Sequence, residues 1–226
     1  MQAVNWGILG ASNFARGFMG PAIHAARGAR LAALATSDAT RAKPFREFCP
    51  DIRVHGSYEA LLADPAIEAV YIPLPNHLHV EWSMKALAAG KHVLCEKPVA
   101  MSVAELDQLI VARDAAGLLA AEAFMIVHHP QWQRARDWIG AGEIGRIEHV
   151  DAHFAYDNRT DATNIRNRPE TGGGGIRDIG VYTYGSVRFA TGAEPAALTS
   201  RIRRENGVDT WAQVTGDFTG PQGSFS

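Results

Sequence analysis

Two charged residues that could take part in a reaction, Glu96 and Lys97, directly follow the short apolar run 93–95, and Pro98 comes after them. A run of this kind is typical of a strand that is buried on both faces. Ligands of an open parallel sheet bind outside the carboxyl ends of its strands, which predicts that Lys97 points into a ligand cleft. The alternative is a strand that ends in two solvated charges. Pro98 ends the strand and permits a cis peptide bond after Lys97.

A second stretch that could bind a ligand is the turn that follows the first predicted strand, Val4–Leu9. Gly10 allows a tight turn, and the helix that begins near Ala15 offers its N-terminus to an anion. Ser12 stands where G-x-G-x-x-G/A has its middle glycine, but it can still let a pyrophosphate approach and donate its hydroxyl. A dinucleotide-binding loop and a plain strand–turn–helix corner both fit this pattern. The predicted cofactor contacts of this turn come from Gly10, Ser12, Asn13 and Phe14.

The end of the second predicted strand bears on the choice of nicotinamide cofactor. NAD-binding sites usually have a carboxylate there that holds the ribose 2′-hydroxyl. Thr36 and Ser37 occupy these positions, and their hydroxyls could bind a 2′-phosphate together with Arg41 or Lys43. This favours NADP. Asp38 keeps NAD as the alternative if the strand runs further.

The order of predicted elements indicates two domains. Strands alternate with helices as far as Phe124, which predicts a doubly wound parallel α/β sheet. Beyond it come a helix at Gln131–Ile139, an alternating strand at Ile147–Tyr156, and two strands at Leu198–Arg204 and Trp211–Phe218. We therefore predict a Rossmann domain at 1–122 and an α+β domain with an antiparallel sheet at 123–226. The chain stops in what reads as a hairpin, so we expect this second sheet to be incomplete.

Composition limits the classes of function. The chain has 226 residues, 46% of them hydrophobic, and a net charge of −2, which gives no basic surface for nucleic acid. Its two cysteines fit a reduced compartment. There is no secretory leader and no apolar run near ~18 residues, so we expect a cytoplasmic protein without a membrane partner. The pairs His77/His79 and His128/His129 lack cysteine or carboxylate partners at useful spacing, so we predict no metal.

Several motifs taken together resemble the glucose–fructose oxidoreductase/inositol dehydrogenase (Gfo/Idh/MocA) family. They run nearly end to end: GILGASNFA at 7–15, YIPLPNHLH at 71–79, GKHVLCEKP at 90–98, EAFM at 122–125, HHPQW at 128–132, NIRNRPE at 164–170, GGGG at 172–175 and DIGVY at 178–182. The resemblance implies an N-terminal nicotinamide-binding domain and a C-terminal domain with an open antiparallel sheet. It also implies homo-oligomer contacts through that sheet.

Departures from the family pattern refine this resemblance. The family's D-x-G-x-H has Tyr182 in place of histidine, which resembles the branch of dihydrodiol dehydrogenases and NADP-dependent D-xylose dehydrogenases. Family members are considerably longer, so we expect the end of the second domain to be missing.

The resemblance implies proton-transfer roles for Lys97 and Tyr182. Tyr182 would be the base for a substrate hydroxyl, and Lys97 the cation beside it, because a nearby ammonium in a dry cleft lowers the pKa of a phenol from ~10. Alternatively, Lys97 itself transfers the proton and Tyr182 orients the substrate. Asp178 would bind substrate hydroxyls or hold Lys97, and it could also be the N-cap of a helix.

Further contacts are predicted around these groups. Glu96 would orient the cofactor or pair locally, and Pro73, Asn76 and His77 would lie by the nicotinamide ribose. The predicted substrate-binding residues are Asn164, Arg166, Arg168 and Asp178.

The leading prediction is an NADP-dependent or NAD-dependent dehydrogenase that acts on the CH–OH group of a sugar, polyol or trans-diol. One alternative is a glycosidase of the same family that retains its NAD. The other is a non-catalytic sensor that binds NADP, against which the presence of both Lys97 and Tyr182 argues.

Overall fold

The computed structural model describes residues 3–218 and 223–226 of the chain. These residues form two compact units, the first ending at Ala123 and the second beginning at Phe124. This division falls one residue after the predicted domain boundary. Met1 and Gln2, which the predicted first domain includes, lie outside the described residues.

The first unit is built on a six-stranded parallel sheet in the order β3-β2-β1-β4-β5-β6. Its strands are β1 (Val4–Leu9), β2 (Ala29–Ala35), β3 (Arg53–His55), β4 (Ala69–Ile72), β5 (His92–Glu96) and β6 (Ala120–Ala123). The strand order reverses direction between β1 and β4, as it does in doubly wound sheets. The predicted Rossmann-type α/β fold is therefore confirmed.

Helices and turns cover both faces of this sheet. The α-helices are α1 (Gly20–Ala25), α2 (Lys43–Phe48), α3 (Tyr58–Leu62), α4 (His79–Ala88) and α5 (Val103–Ala116). Because side chains alternate along a strand, Val70 and Ile72 of β4 pack into one core with Trp82, whereas Tyr71 packs into the other core with Phe45. Within the described residues, no helix is long and apolar enough to cross a membrane.

Local signals explain where some of these helices begin and end. The Ser102 hydroxyl accepts a hydrogen bond from the Glu105 N–H at 3.3 Å, which starts α5, and Gly117 ends it at a φ of 63°. The helical stretch after β2 is divided, because Asp38 starts a 3₁₀ turn at Ala39–Ala42 and α2 follows with Pro44 in its first turn.

The second unit carries a four-stranded sheet in the order β7-β10-β9-β8. Its strands are β7 (His149–Val150), β8 (Pro195–Glu205), β9 (Val208–Phe218) and β10 (Ser224–Phe225), and its α-helices are α6 (Pro130–Gly140) and α7 (Val181–Thr191). Strands β8 and β9 form a long antiparallel hairpin that turns at Asn206 and Gly207, both at positive φ. Because β10 pairs with β7 in parallel, the sheet is mixed rather than wholly antiparallel.

The strand predicted at Ile147–Tyr156 is wrong in extent. Among the described residues, the strand is limited to His149–Val150, which pairs with Ser224 and Phe225 of β10. A strand exists only where a neighbour supplies a hydrogen-bonding edge, and β10 supplies two residues of it. Beyond β7, the Asp151 carboxylate pairs with His153 and accepts from the Ser226 hydroxyl, and the Ala152 N–H donates to the Ser226 carbonyl.

The helical segment after the glycine run is anchored by Asp209 of β9. It begins with a π-helical turn at Ile176–Gly180 and continues as α7. The Asp209 carboxylate accepts the Ile176 N–H at 2.5 Å and lies where a Cβ on Gly174 would stand. A Cβ on Gly173 would come within 2.5 Å of the Arg166 carbonyl oxygen. The glycines are therefore needed because backbone and carboxylate press against this turn.

We predict that Asp209→Ala lowers the free energy of unfolding by about 1–2 kcal/mol, because it leaves the Ile176 N–H without its carboxylate acceptor. Urea unfolding followed by tryptophan fluorescence measures this loss. The matched control is Asp209→Asn, which keeps an acceptor oxygen and should lose less. Faster hydrogen exchange at the Ile176 amide in the alanine variant only would locate the effect, and equal stability of both variants with the wild type would contradict it.

Candidate active site

The residues predicted to bind the cofactor lie at one edge of the parallel sheet in the first unit. Gly10 follows β1, Thr36 follows β2, Pro73 follows β4, and Lys97 follows β5. All these strands run in the same direction, so their carboxyl ends share an edge. This is the edge where doubly wound folds bind ligands, and the reversal between β1 and β4 lies within it.

The turn after β1 has the geometry of a close-approach loop. Gly10 has a φ of 101°, and a Cβ there would stand 2.9 Å from Leu74 Cδ2. The Ser12 hydroxyl accepts the Ala15 N–H at 3.0 Å and so caps the helical segment, a role that the sequence analysis did not assign to it. Asn13 and Phe14 are exposed beside it.

The end of β2 is tied to this turn by Arg41. The Arg41 guanidinium donates to the Ala11 carbonyl at 2.7 Å, which brings its positive charge to the turn. Thr36 is buried and its hydroxyl bonds to the backbone of Asp38, whereas Ser37 is exposed. The Asp38 carboxylate accepts from the hydroxyl and N–H of Thr40, and these bonds lower its pKa.

These observations test whether a nicotinamide nucleotide fits. The positive φ and tight packing at Gly10 require a residue without a side chain at the start of the loop, and Ser12 starts a helical segment whose N–H groups suit a pyrophosphate. The carboxylate of Asp38 is occupied by Thr40, and Ser37 and Arg41 offer a hydroxyl and a cation instead. The residues present therefore fit a phosphorylated dinucleotide.

The segment that carries Lys97 is held by side chains on both sides. The Glu96 carboxylate accepts the Tyr71 hydroxyl at 2.6 Å and the Lys97 N–H at 3.3 Å. Glu122 accepts the Val99 N–H at 2.9 Å, and the peptide bond between Lys97 and Pro98 is cis. Burial raises the pKa of Glu96, partly offset by its bond from Tyr71. Glu96 thus has two hydrogen-bond partners within the first unit, Tyr71 and Lys97.

The loop after β4 presents the remaining predicted cofactor contacts. Pro73 is buried, Asn76 and His77 begin the 3₁₀ turn Asn76–Leu78, and His77 is exposed. His79, which the sequence singled out only as a metal candidate, is buried and makes two short contacts with backbone carbonyls. In the portion of the chain that the structure describes, no group of histidine, cysteine, aspartate and glutamate side chains could hold a metal ion.

The second unit brings Asp178 together with Arg166 and Tyr156. Arg166 Nε lies 2.9 Å from Asp178 Oδ2, and the Tyr156 hydroxyl donates to the same carboxylate oxygen. Burial and the bond to Asp178 raise the pKa of Tyr156. The interpretation of Asp178 as an N-cap is wrong, because its own N–H donates to the Gly174 carbonyl and it stands inside the helical turn.

The Tyr182 ring lies among aromatic side chains of the second unit. Its centroid is 5.8 Å from that of Phe124, which stacks on it, and 5.7 Å from that of Phe154. Gly185, one turn further along α7, makes room for Phe124, since a Cβ there would stand 2.6 Å from its ring. These contacts fix the orientation of the phenol.

The other predicted substrate-binding residues have local partners. Asn164 accepts the Arg166 N–H and starts the 3₁₀ turn Ile165–Asn167. Arg168 forms an exposed ion pair with Glu170 at 2.7 Å. Of this predicted set, the structure therefore brings Arg166 to Asp178 and places Asn164 at the start of the turn that carries Arg166.

Sequence reasoning missed Tyr156, Phe154 and Phe124 as neighbours of the predicted site residues. One signal was available for two of them. In the alternating stretch 147–156, Phe154 and Tyr156 share a parity that differs from that of Asp151 and His153, and the rings of the first two are 6.3 Å apart. Phe124 carries no comparable signal, because its role depends on packing against Gly185 of a distant helix.

Comparison with known proteins identifies the family. Residues 4–124 match the sequence model of an oxidoreductase family with an NAD-binding Rossmann fold, Gfo/Idh/MocA. Residues 132–226 match the model of the Gfo/Idh/MocA C-terminal domain.

Two curated relatives are similar over most of the chain. An uncharacterized oxidoreductase from Rhizobium meliloti is 44% identical over 195 residues, which cover 86% of this chain and 58% of the relative. A D-xylose 1-dehydrogenase (NADP⁺) from Haloferax volcanii is 37% identical over 206 residues, covering 91% and 63%. The chain therefore spans about three fifths of the length of these relatives.

A solved structure shares the fold. The 3-ketoreductase of Actinomadura kijaniata in complex with NADP and TDP-benzene has a TM-score of 0.89 at 31% identity, covering 100% of this chain and 70% of that one. Further structures of that enzyme carry a tyrosine-to-phenylalanine or a lysine-to-alanine substitution. On the evidence of both domain models and these identities, the chain belongs to the Gfo/Idh/MocA oxidoreductase family.

Proposed function

We propose that the protein is an NADP-dependent oxidoreductase that interconverts a CH–OH group and a carbonyl group on a sugar, polyol or trans-diol. One observation carries this proposal: the close-approach turn at Gly10, the polar end of β2 and the Lys97 segment lie at one edge of a parallel sheet. That arrangement suits a dinucleotide with a reactive group at the end of β5. The names of the relatives, a D-xylose dehydrogenase and a 3-ketoreductase, support a sugar substrate.

NADP is the proposed cofactor, and NAD is the alternative. Gly10 and Ser12 would receive the pyrophosphate, with Asn13 and Phe14 alongside. Ser37 and Arg41 would hold the 2′-phosphate, and Thr36 shapes the pocket through its bond to the Asp38 backbone. The NADP named with the Actinomadura and Haloferax relatives points the same way.

The residues of this chain have separate tasks in the proposed reaction. Bound nicotinamide would supply the hydride acceptor or donor. The Lys97 ammonium stabilises negative charge on the substrate oxygen, and the Tyr182 phenol takes or gives the hydroxyl proton. Asp178, held by Arg166 and Tyr156, binds a further substrate hydroxyl. Asn164 and Arg168 extend this polar surface, while Pro73, Asn76, His77 and Glu96 complete the cofactor side.

The setting of the reaction is part of the proposal. Cys49 and Cys95 are buried free thiols, which supports a reducing compartment such as the cytoplasm. On the second sheet, the large apolar side chains of Leu198 and Ile202 share one face of β8, and both are exposed. We propose that another copy of the chain covers them in a homo-oligomer, because exposed apolar faces of this kind mark association surfaces.

We predict that NADPH binds more tightly than NADH. Isothermal titration calorimetry on the purified chain measures both affinities. Ser37→Asp places a carboxylate at the exposed end of β2, where it repels a 2′-phosphate and can accept from a ribose hydroxyl, so the preference should move toward NADH by about tenfold or more. A wild-type preference for NADH, or an unchanged ratio in the variant, would contradict the assignment of this strand end.

We predict that Tyr182→Phe lowers kcat by ~10²–10⁴ while cofactor affinity changes little, because it removes the proton-transfer group but keeps the ring. The assay follows reduced nicotinamide in a screen of aldoses, polyols and cyclic trans-diols with NADP⁺ and NAD⁺. Tyr184, two residues further along α7, is exposed, so Tyr184→Phe is the matched control and should retain turnover. Near-normal turnover of Tyr182→Phe would remove the phenol from the mechanism.

The same screen separates the alternatives. A dehydrogenase produces one reduced nicotinamide per substrate oxidised. A glycosidase that retains its cofactor releases sugar with no net change in added nucleotide, and a sensor binds NADPH without turning over any substrate.

A further inference from the structure

His79 is a fully buried imidazole, at 0% exposure, in the first turn of α4. Its Nδ1 lies 2.7 Å from the Pro98 carbonyl oxygen, and its Nε2 lies 2.7 Å from the Leu74 carbonyl oxygen. Pro98 directly follows Lys97, and Leu74 belongs to the loop after β4. One side chain therefore connects the backbone that carries Lys97 to the loop that packs on Gly10.

The chemistry of the imidazole limits what these contacts can be. A carbonyl oxygen only accepts, so each contact is a hydrogen bond only when the facing nitrogen carries a proton. Burial lowers the pKa of His79 below its usual value, and the positive charges of Lys97 and His77 act in the same direction, against the two carbonyl contacts. A neutral ring has one N–H, so near pH 7 one of the two carbonyls receives it.

The surroundings of Lys97 indicate which carbonyl matters. Glu96 accepts the Lys97 N–H and Glu122 accepts the Val99 N–H, so two carboxylates hold the backbone donors of this segment. A carboxylate cannot bond the two carbonyls that lie between these donors, those of Lys97 and Pro98, because a carbonyl oxygen needs a donor. His79 Nδ1 stands at the Pro98 carbonyl.

We propose that His79 is a positioning residue for Lys97, which it serves by donating its Nδ1–H to the Pro98 carbonyl. The inference rests on the proposed function of Lys97 and deepens it. With the backbone on both sides of Pro98 fixed, the point from which the Lys97 side chain leaves the backbone is fixed as well. A loss of about 1 Å in such positioning can cost on the order of 10²-fold in rate.

Two variants separate positioning from packing. The amide nitrogen of asparagine can take the place of imidazole Nδ1, and that of glutamine can take the place of Nε2. We expect His79→Gln to keep the Leu74 bond, lose the Pro98 bond and lower kcat by about tenfold to 10²-fold, with little change in KM or in NADPH affinity. His79→Asn should retain most of the turnover. His24→Gln, on the exposed surface of α1, is the control and should match the wild type in every measurement.

A spectroscopic readout does not depend on turnover. In the cofactor-free wild-type chain, ¹⁵N NMR of the His79 ring should report a protonated Nδ1. The ¹³Cε resonance of Lys97 should shift in His79→Gln and stay near its wild-type position in His79→Asn. An unprotonated Nδ1, or variants that lose stability equally with unchanged kcat and unchanged Lys97 resonance, would overturn the proposal. Absence of NADP-linked turnover in the wild type would instead overturn the proposed function, and the NMR result would still decide the role of His79.

Discussion

Parallel hydrogen bonding between β1, β4 and β5 is the constraint on which the cofactor side of the site depends. In the pairing of β1 with β4, Ala69, Val70 and Tyr71 lie opposite Trp6, Gly7 and Ile8. In the pairing of β4 with β5, the same three residues of β4 lie opposite His92, Val93 and Leu94. In this register Gly10, Pro73 and Lys97, which are far apart in sequence, leave the sheet at the same edge. The fully buried side chains of Ile8, Tyr71 and Cys95 hold the register, because a slip of one residue would turn each of them to the opposite face.

Side-chain hydrogen bonds then convert that edge into a site with defined groups. The Tyr71 hydroxyl donates to the Glu96 carboxylate at the end of the neighbouring strand, and the Arg41 guanidinium donates to the Ala11 carbonyl in the turn after β1. In the second unit, Asp209 anchors the helical segment that carries Asp178 and Tyr182. In both units, a side chain from a distant part of the chain bonds the backbone of a predicted site segment, Arg41 at Ala11 and Asp209 at Ile176. This is how sites are held to the tolerance that catalysis requires.

Sequence reasoning succeeded where the determining signal is local. The two ends of helix α5 are marked in the sequence by Ser102 and Gly117, and the end of β1 is marked by the change from an apolar run to Gly10. It failed where the determining contact is distant. The short extent of β7 depends on pairing with β10, and the contacts of His79, Tyr156 and Asp209 span 19, 22 and 33 residues. The motifs supplied candidate site residues, and the structure supplied the partners of those residues.

The packing at Gly173 has a consequence for mutagenesis of the loop that precedes it. The backbone carbonyls of Arg166 and Arg168 both lie close to this glycine, so the loop packs tightly on the start of the helical segment that carries Asp178. The side chain at 168, whose outer end is exposed, can therefore be exchanged without disturbing this packing, whereas the glycines cannot. In a library that randomises the glycines as well, a Cβ at 173 would collide with the Arg166 backbone, and a Cβ at 174 would collide with the Asp209 carboxylate.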